Sequence, residues 1–349
     1  MEKVKFALVG CGRIAYKHIE AIRDNNNIAE LIAVCDINID KARNKSEENG
    51  IPFYTDYNDM LSAHPEIDIV SILTESGNHA KHSIDIVSKH KKHILVEKPM
   101  ALRLSDADAM IKACDENGVK LFVVKQNRLN LPVIELKKAV DEGKFGKLVM
   151  GTVRVRWSRD QKYYDNDSWR GTWALDGGVF TNQASHHIDL LEWMLGEPIS
   201  VFAKSRTALV DIETEDTGVA IIQFANGAMG IVEATTAVRP KDLEGSLSIL
   251  GEKGSVEIGG FAVNEIKVWN FTNDSEKVES SENPPNIYGF GHKRYIENVC
   301  NNLKHNKKAL VDGLEGRKSL ELINAIYESI ETGKEVFLKF NPVHSRLGK

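Results

Sequence analysis

The hydrophobic rhythm of the chain changes once along its length. From residue 4 to about 124, short apolar runs alternate with stretches whose apolar positions recur at helical spacing. The runs are VKFALVG (4–10), LIAVCD (31–36), FYT (53–55), IVSILT (69–74), HILVE (93–97) and KLFVV (120–124); Ala107, Ile111 and Cys114 illustrate the helical spacing. Strands this continuously apolar are covered on both faces, as in a parallel sheet between two helical layers. Six such strands with five crossovers predict a doubly wound α/β domain over residues 1–125.

Past residue 147 apolar and polar positions alternate instead. KLVMGTVRVRW, ISVFAKSRTAL, TGVAIIQFANGAMGIVEATTA, GSLSILGEKGSVEIGG and IKVWNF are separated by turns such as Asn226–Gly227 and Glu252–Lys253–Gly254. That pattern predicts antiparallel hairpins with one covered face, within an α+β domain over residues 126–349 whose sheet is large, open and mostly antiparallel. Two helical stretches (292–304 and 314–332) precede a last strand, EVFLKF, and the polar NDSEKVESSENPPN (273–286) reads as an exposed loop.

Composition narrows the class without naming it. The 349 residues are 42% hydrophobic and 27% charged, with a net charge of −5, so neither nucleic acid nor an anionic membrane is an expected partner. No apolar run approaches the ~20 residues that span a bilayer. The N-terminal MEKVKFALVGCG is too short in apolar residues for a secretory signal, which makes the cytoplasm the expected compartment. Cys11, Cys35, Cys114 and Cys300 have no metal-ligand spacing and are expected to be reduced and buried, with no metal site.

The first strand runs into GCGRIA, a G-x-G-x-x-A pattern of Gly10, Gly12 and Ala15. Gly10 permits the tight turn, Gly12 lets a pyrophosphate approach the backbone, and Ala15 allows close helix–strand packing. Phosphates would then sit at the helix start, beside Arg13 and Ile14. A second strand ends on Asp36, 24 residues beyond Gly12, where a carboxylate accepts ribose hydroxyls. Asp36 would repel a 2′-phosphate, and Ile37 and Asn38 supply no cation, so NAD is expected over NADP.

The fifth strand ends on Glu97–Lys98–Pro99, at the sheet edge where ligands collect. A lysine there exchanges protons, or simply holds a hydroxyl in place, or extends to solvent beside Glu97. In the second half, ALDGGVFTNQASHHIDLLEWMLG (174–196) opens on Gly177–Gly178 and continues as an apolar helix. Asn182 and His186 are four apart and are expected on one helical face near its start; His187 points elsewhere and reads as structural.

Glycine loop, acid after the second strand, EKP after the fifth, and GG-x3-N-x3-H together resemble the glucose–fructose oxidoreductase / inositol dehydrogenase (Gfo/Idh/MocA) family, over essentially the whole chain. The resemblance implies an NAD-dependent dehydrogenase in which Lys98 and His186 flank the reacting carbon. It implies a cis Lys98–Pro99 bond as well. Many members carry aspartate where this chain has Asn182, so Asn182 enters as a group that orients a hydroxyl or the lysine. It also implies cofactor contacts from Gly10, Gly12, Arg13, Ile14, Asp36, Thr74, His79, Glu97, Lys98, Gln126, Trp169 and Arg170.

Three further stretches, KQNRLNLPV (125–133), YYDNDSWRGTWALDGG (163–178) and TEDTGVAIIQFANGAMGIVEATTAVRP (214–240), resemble the branch of bacterial UDP-N-acetylglucosaminuronate (UDP-GlcNAcA) 3-dehydrogenases, which supply surface-polysaccharide precursors. That branch implies oxidation of a C3 hydroxyl on a UDP-linked uronate, with 2-oxoglutarate as a candidate acceptor for recycling NADH. Arginine grips carboxylates and phosphates bidentately, which brings in Arg128 beside Arg170, and flat rings at Tyr163, Tyr164, Trp169 and Trp173 suit a sugar or nicotinamide. Lys98, Arg128, Tyr163, Asn182, His186 and His292 form the expected substrate set. The uncovered face of the second sheet is expected to form a homodimer or homotetramer. Rival readings are a nucleotide-sugar ketoreductase, an inositol-type polyol dehydrogenase, and a dinucleotide-sensing regulator without catalysis.

Overall fold

The structure, a computed structural model, describes residues 2–272, 278, 281–282, 289–338 and 345–348. It divides into two compact units, residues 1–125 with 292–317 and residues 126–291 with 318–349.

In the first unit a six-stranded sheet takes the order β3-β2-β1-β4-β5-β6. Its strands are β1 (Val4–Val9), β2 (Ala29–Cys35), β3 (Phe53–Tyr54), β4 (Ile69–Ile72), β5 (His93–Val96) and β6 (Leu121–Val123), and every pairing is parallel. Between them run α1 (Ala15–Asp24), α2 (Ile39–Asn49), α3 (Tyr57–Ala63), α4 (His79–His90) and α5 (Leu104–Glu116). Phe6, Leu8, Ile69, Ile72 and Leu95 are fully buried, because helices cover both faces. Helix boundaries follow local chemistry. Asn38 caps α2 by accepting from the N–H groups of Asp40 and Lys41, and Gly50 ends that helix in the left-handed conformation. The order reverses between β1 and β4, so the crevice beyond the carboxyl ends of these strands is the place for a ligand.

The chain returns to this unit through most of α9 (Gly291–His305) and the start of α10 (Gly313–Thr332). The Tyr295 hydroxyl donates to the Val123 carbonyl, and Lys120 Nζ reaches the Asn302 carbonyl at 3.2 Å.

The second unit is built on an eight-stranded sheet in the order β13-β12-β11-β7-β10-β9-β8-β14. Its strands are β7 (Leu148–Arg156), β8 (Pro198–Arg206), β9 (Thr217–Phe224), β10 (Met229–Thr235), β11 (Glu244–Gly251), β12 (Gly254–Gly259), β13 (Glu265–Phe271) and β14 (Val336–Phe337). Neighbours are antiparallel except β7 and β10, which run parallel because β7 is inserted between two hairpin strands that follow it in sequence. The helices α6 (Leu131–Asp141), α7 (Gln161–Asp165) and α8 (Ser185–Leu195) belong to this unit, with the remainder of α10.

Helix α8 covers one face of the sheet. It lies so close to β7 that a Cβ on Gly151 would fall 2.8 Å from Leu191 and 2.9 Å from Leu195. Leu190 and Leu191 are fully buried, each worth about 1.5–3 kcal/mol of transfer free energy. The opposite face stays open, with Phe202, Val219, Ile221 and Met229 exposed. The last strand is shorter than EVFLKF, and residues 339–344 and most of the 273–286 loop lie outside the described residues.

Candidate functional site

Within the first unit, Gly10 follows β1 with φ +105°, and a Cβ there would lie 2.6 Å from the Leu73 carbonyl, so only glycine fits. Beside Gly12 a Cβ would meet nothing within 4 Å, which leaves open approach to the backbone. Helix α1 begins without a side-chain cap and without acid in its first turn, so its N-terminal N–H groups and dipole suit an anion. Asp36, just past β2, accepts the Cys11 N–H at 2.7 Å and the Asn38 N–H at 2.8 Å. Open glycine, uncapped helix start and neighbouring carboxylate together fit the pyrophosphate and ribose of a dinucleotide.

The EKP turn is held from inside the same unit. Glu97 follows β5 and is buried; its Oε1 lies 2.9 Å from His18 Nε2 and 3.5 Å from His292 Nε2, while Oε2 accepts the Lys98 N–H at 3.0 Å. Burial alone would raise the Glu97 pKa, but the two imidazoles outweigh it and hold the carboxyl well below its usual range. Burial pushes His292 down, with Glu97 opposing. The three side chains could each offer one ligand atom to an ion, all within 4.8 Å of one another. The 2.9 Å separation between Glu97 and His18 is nonetheless that of a hydrogen bond.

Lys98–Pro99 is cis, as the resemblance implies, and Lys98 is partly exposed. Buried His79 spans the turn from behind, with Nδ1 2.8 Å from the Pro99 carbonyl and Nε2 3.0 Å from the Thr74 carbonyl. Burial lowers its pKa, against the pull of those two carbonyls. Thr74 Oγ1 pairs with His82 Nδ1 at 3.0 Å. His79, His292 and Thr74 therefore support the lysine turn.

In the second unit the glycine pair begins a π-helical turn, Val179–Gln183, and α8 starts only at Ser185. Asn182 and His186 therefore do not share one continuous α-helical face, contrary to what their spacing predicts; the turn is wound more loosely than 3.6 residues would require. Gly177 has φ +82°, and a Cβ on Gly178 would collide with the Glu215 carboxylate. That packing supplies a reason for the second glycine.

Asn182 Nδ2 donates to Asp176 Oδ1, and the other Asp176 oxygen accepts the Gly171 N–H at 2.8 Å. The Gln183 amide donates to Asn182 Oδ1 at 3.0 Å and to the Tyr163 hydroxyl at 3.1 Å. Arg170 donates to the same hydroxyl at 2.8 Å and to Asp167 at 2.9 Å, and its guanidinium stands 4.7 Å over both the Tyr163 and Trp169 rings. Asn182, Tyr163, Trp169 and Arg170 thus come together as one polar–aromatic cluster.

His186 is 9% exposed, with Nε2 3.0 Å from the Gln126 amide nitrogen. Arg128 is also buried and makes two hydrogen bonds to Asp189, of 2.8 and 2.9 Å, with its guanidinium 4.7 Å over the Trp193 ring. His187 is fully buried against Trp157, and burial drives its pKa down to about 4, in keeping with a structural role. Sequence reasoning missed His18, Asp176, Glu215 and Tyr327. Asp176, just before Gly177–Gly178, and Glu215, in TEDTG, lie within stretches that drew notice for other residues; His18 and Tyr327 lie in none.

Comparison with known proteins finds two consecutive family matches along the chain. Residues 4–125 match the model of an oxidoreductase family's NAD-binding Rossmann fold, and residues 137–338 match the C-terminal alpha/beta domain of that family. The structure superposes with a TM-score of 0.90 on the WlbA dehydrogenase from Bordetella pertussis in complex with NADH and UDP-GlcNAcA, 44% identical, covering 97% of this chain and 100% of the other. A second WlbA dehydrogenase, from Chromobacterium violaceum and with the same two ligands, also has a TM-score of 0.90 at 45% identity, covering 98% and 97%. The myo-inositol 2-dehydrogenase of Thermotoga maritima is 28% identical over 96% of this chain and 99% of its own length.

Proposed function

The chain belongs to the Gfo/Idh/MocA oxidoreductase family, and from that premise we propose that it oxidises the C3 hydroxyl of UDP-GlcNAcA to the 3-keto sugar. The observation that carries this reading is the 44–45% identity, over almost the whole of both chains, to two dehydrogenases solved with NADH and UDP-GlcNAcA. The fold and the cofactor loop make an NAD-dependent oxidoreductase of the chain, and the sugar is the further step.

Gly10, Gly12 and the start of α1, with Arg13 and Ile14, take the pyrophosphate, and Asp36 takes the ribose. When bound, NAD+ supplies the hydride acceptor. Removal of the hydroxyl proton is assigned to Lys98 and His186, the titratable side chains of the two motifs that carry the family resemblance. If both touch the hydroxyl, their titrations are coupled and the pH profile reports the pair. Asn182, oriented by Asp176, supplies an amide to the sugar. Tyr163, Trp169 and Arg170 supply flat surfaces and a cation suited to a uronate or a nucleotide, while Arg128 pairs with Asp189 of α8. The product feeds surface-polysaccharide precursor synthesis, and 2-oxoglutarate is the acceptor that returns the cofactor to NAD+. No described helix is long and apolar enough to cross a membrane, and the reading needs no membrane.

Incubation with NAD+ and UDP-GlcNAcA, with and without 2-oxoglutarate, is followed by NADH absorbance and 2-hydroxyglutarate formation. Lys98→Met and His186→Ala should each leave NAD+ binding largely intact by calorimetry and remove turnover. Near-normal turnover in both variants defeats the assignment. Turnover of free inositol that is insensitive to UDP favours the polyol dehydrogenase. Tight NAD+ binding without reduction by any sugar revives the regulator.

A further inference from the structure

A short 3₁₀ turn, Gln126–Leu129, grips helix α8 at two points. Gln126, 4% exposed, meets His186 at 3.0 Å. Two residues on, Arg128 forms its bidentate pair with Asp189, three residues beyond His186. A charge pair buried to 4% and 2% exposure on its two sides fixes the backbone of the turn relative to the helix, because breaking it would strand a charge away from water. Gly291 closes the other side, where a Cβ would collide with the Gln126 carbonyl. The Gln126 backbone is therefore pinned, which leaves the last torsion of its carboxamide to decide whether nitrogen or oxygen faces the ring.

That torsion has a chemical consequence. An imidazole nitrogen either offers a lone pair or carries a proton, and a carboxamide can serve either, donating through its nitrogen or accepting through its oxygen. Turning the amide over by half a rotation exchanges the two modes at nearly constant distance. A carboxylate in its place could only accept and would favour the imidazolium; a thioether could do neither at useful strength. We propose that Gln126 is the positioning residue of His186: with its carboxamide turned so that the oxygen faces the ring, it accepts from the Nε2–H, which fixes the tautomer and leaves Nδ1 as the nitrogen that takes the hydroxyl proton. Nε2 keeps its proton and its partner in both charge states, so the imidazole changes its charge without changing its place. This rests on the reading that His186 exchanges a proton with the substrate hydroxyl.

Gln126→Glu and Gln126→Met separate positioning from mere packing. In Gln126→Glu the His186 titration, followed by NMR in the protein without sugar, should move up by roughly 1–3 on the pH scale, as expected for an imidazole gaining a carboxylate neighbour. The acidic limb of the kcat/KM profile should move with it. Gln126→Met should lower kcat about 10-fold or more while KM for the sugar nucleotide stays within about 2-fold, since an acid–base group worth ~10²–10⁴ would lose its orientation but not its presence. An unmoved His186 titration in folded Gln126→Glu overturns the inference. Because the titration needs no turnover, a shifted titration in a protein inert toward every sugar nucleotide would sink the enzymatic reading and leave the pairing intact. Normal turnover with an unshifted titration would do the reverse.

Discussion

Replacing Glu215 by glutamine should stabilise the second unit, and the gain should grow with pH. Glu215 is fully buried beneath the glycine turn; its Oε1 accepts the Tyr327 hydroxyl at 2.7 Å and the Phe180 N–H at 3.2 Å, while Oε2 has no partner among the described residues. Burial raises its pKa from 4.5 to about 7, against the lowering pull of those hydrogen bonds and of Arg346. An acid whose pKa is raised on folding contributes its stability below the unfolded value and loses it as pH climbs through the folded value. The window therefore runs from about 4.5 to about 7. Each tenfold difference in proton affinity between the folded and unfolded chain is worth about 1.4 kcal/mol. At about pH 5 the unfolded carboxyl is already largely ionised, and the penalty is about 1 kcal/mol; near pH 8 it reaches about 3 kcal/mol. Glutamine keeps an acceptor for Tyr327 and Phe180 and cannot ionise. Urea unfolding of the second unit, followed by tryptophan fluorescence between about pH 5 and 8, should give a parent free energy that falls with pH and a Glu215→Gln value that exceeds it by about 1 kcal/mol at the acid end and about 3 at the other. Parallel curves for the two proteins would refute the reasoning, since the difference would then owe nothing to ionisation.

Asp36→Ala should lower the preference for NAD over NADP by on the order of 10-fold, because a carboxylate and a 2′-phosphate about 4 Å apart repel by ~1–4 kcal/mol; titration calorimetry with both cofactors measures the ratio, and an unchanged ratio removes Asp36 from ribose recognition. The open face of the second sheet, where Phe202, Val219, Ile221 and Met229 are 39%, 51%, 53% and 45% exposed, should be covered by another copy of the chain. Size-exclusion with light scattering should then give a dimer or tetramer for the parent and a smaller species for Ile221→Glu, and a monomeric parent refutes it.

The cofactor end of the molecule is legible because its signals are local. Gly10, Gly12, Ala15 and Asp36 stand at fixed distances from strands whose apolar runs are unmistakable, and the turn after β1 requires a glycine whatever the rest of the chain does. His18 shows the opposite case. It sits 79 residues from Glu97 and pairs with it only because α1 lies beside the end of β5. Gln126 and His186 are 60 residues apart, and nothing in KQNR or SHHID announces their contact. The spacing of Asn182 and His186 misled for a different reason: a count of four implies a shared face only where the turn is α-helical, and here it is not.

Hydrophobic order along the chain was enough to set a parallel sheet early in the chain, a mostly antiparallel sheet later in it, and a dinucleotide loop between a strand and a helix, but not the return of residues 292–317 to the first unit. These follow from periods of two and 3.6 and from glycine's freedom at positive φ, which operate over neighbouring residues. Which polar side chains meet was decided by tertiary packing. The parallel pairing of β7 with β10, the carboxylate of Glu97 between two imidazoles, Asp176 behind Asn182 and Gln126 against His186 each join residues whose separation carries no period. A lone buried polar group is paired by whatever the fold brings to it, and its partner cannot be read before the fold exists.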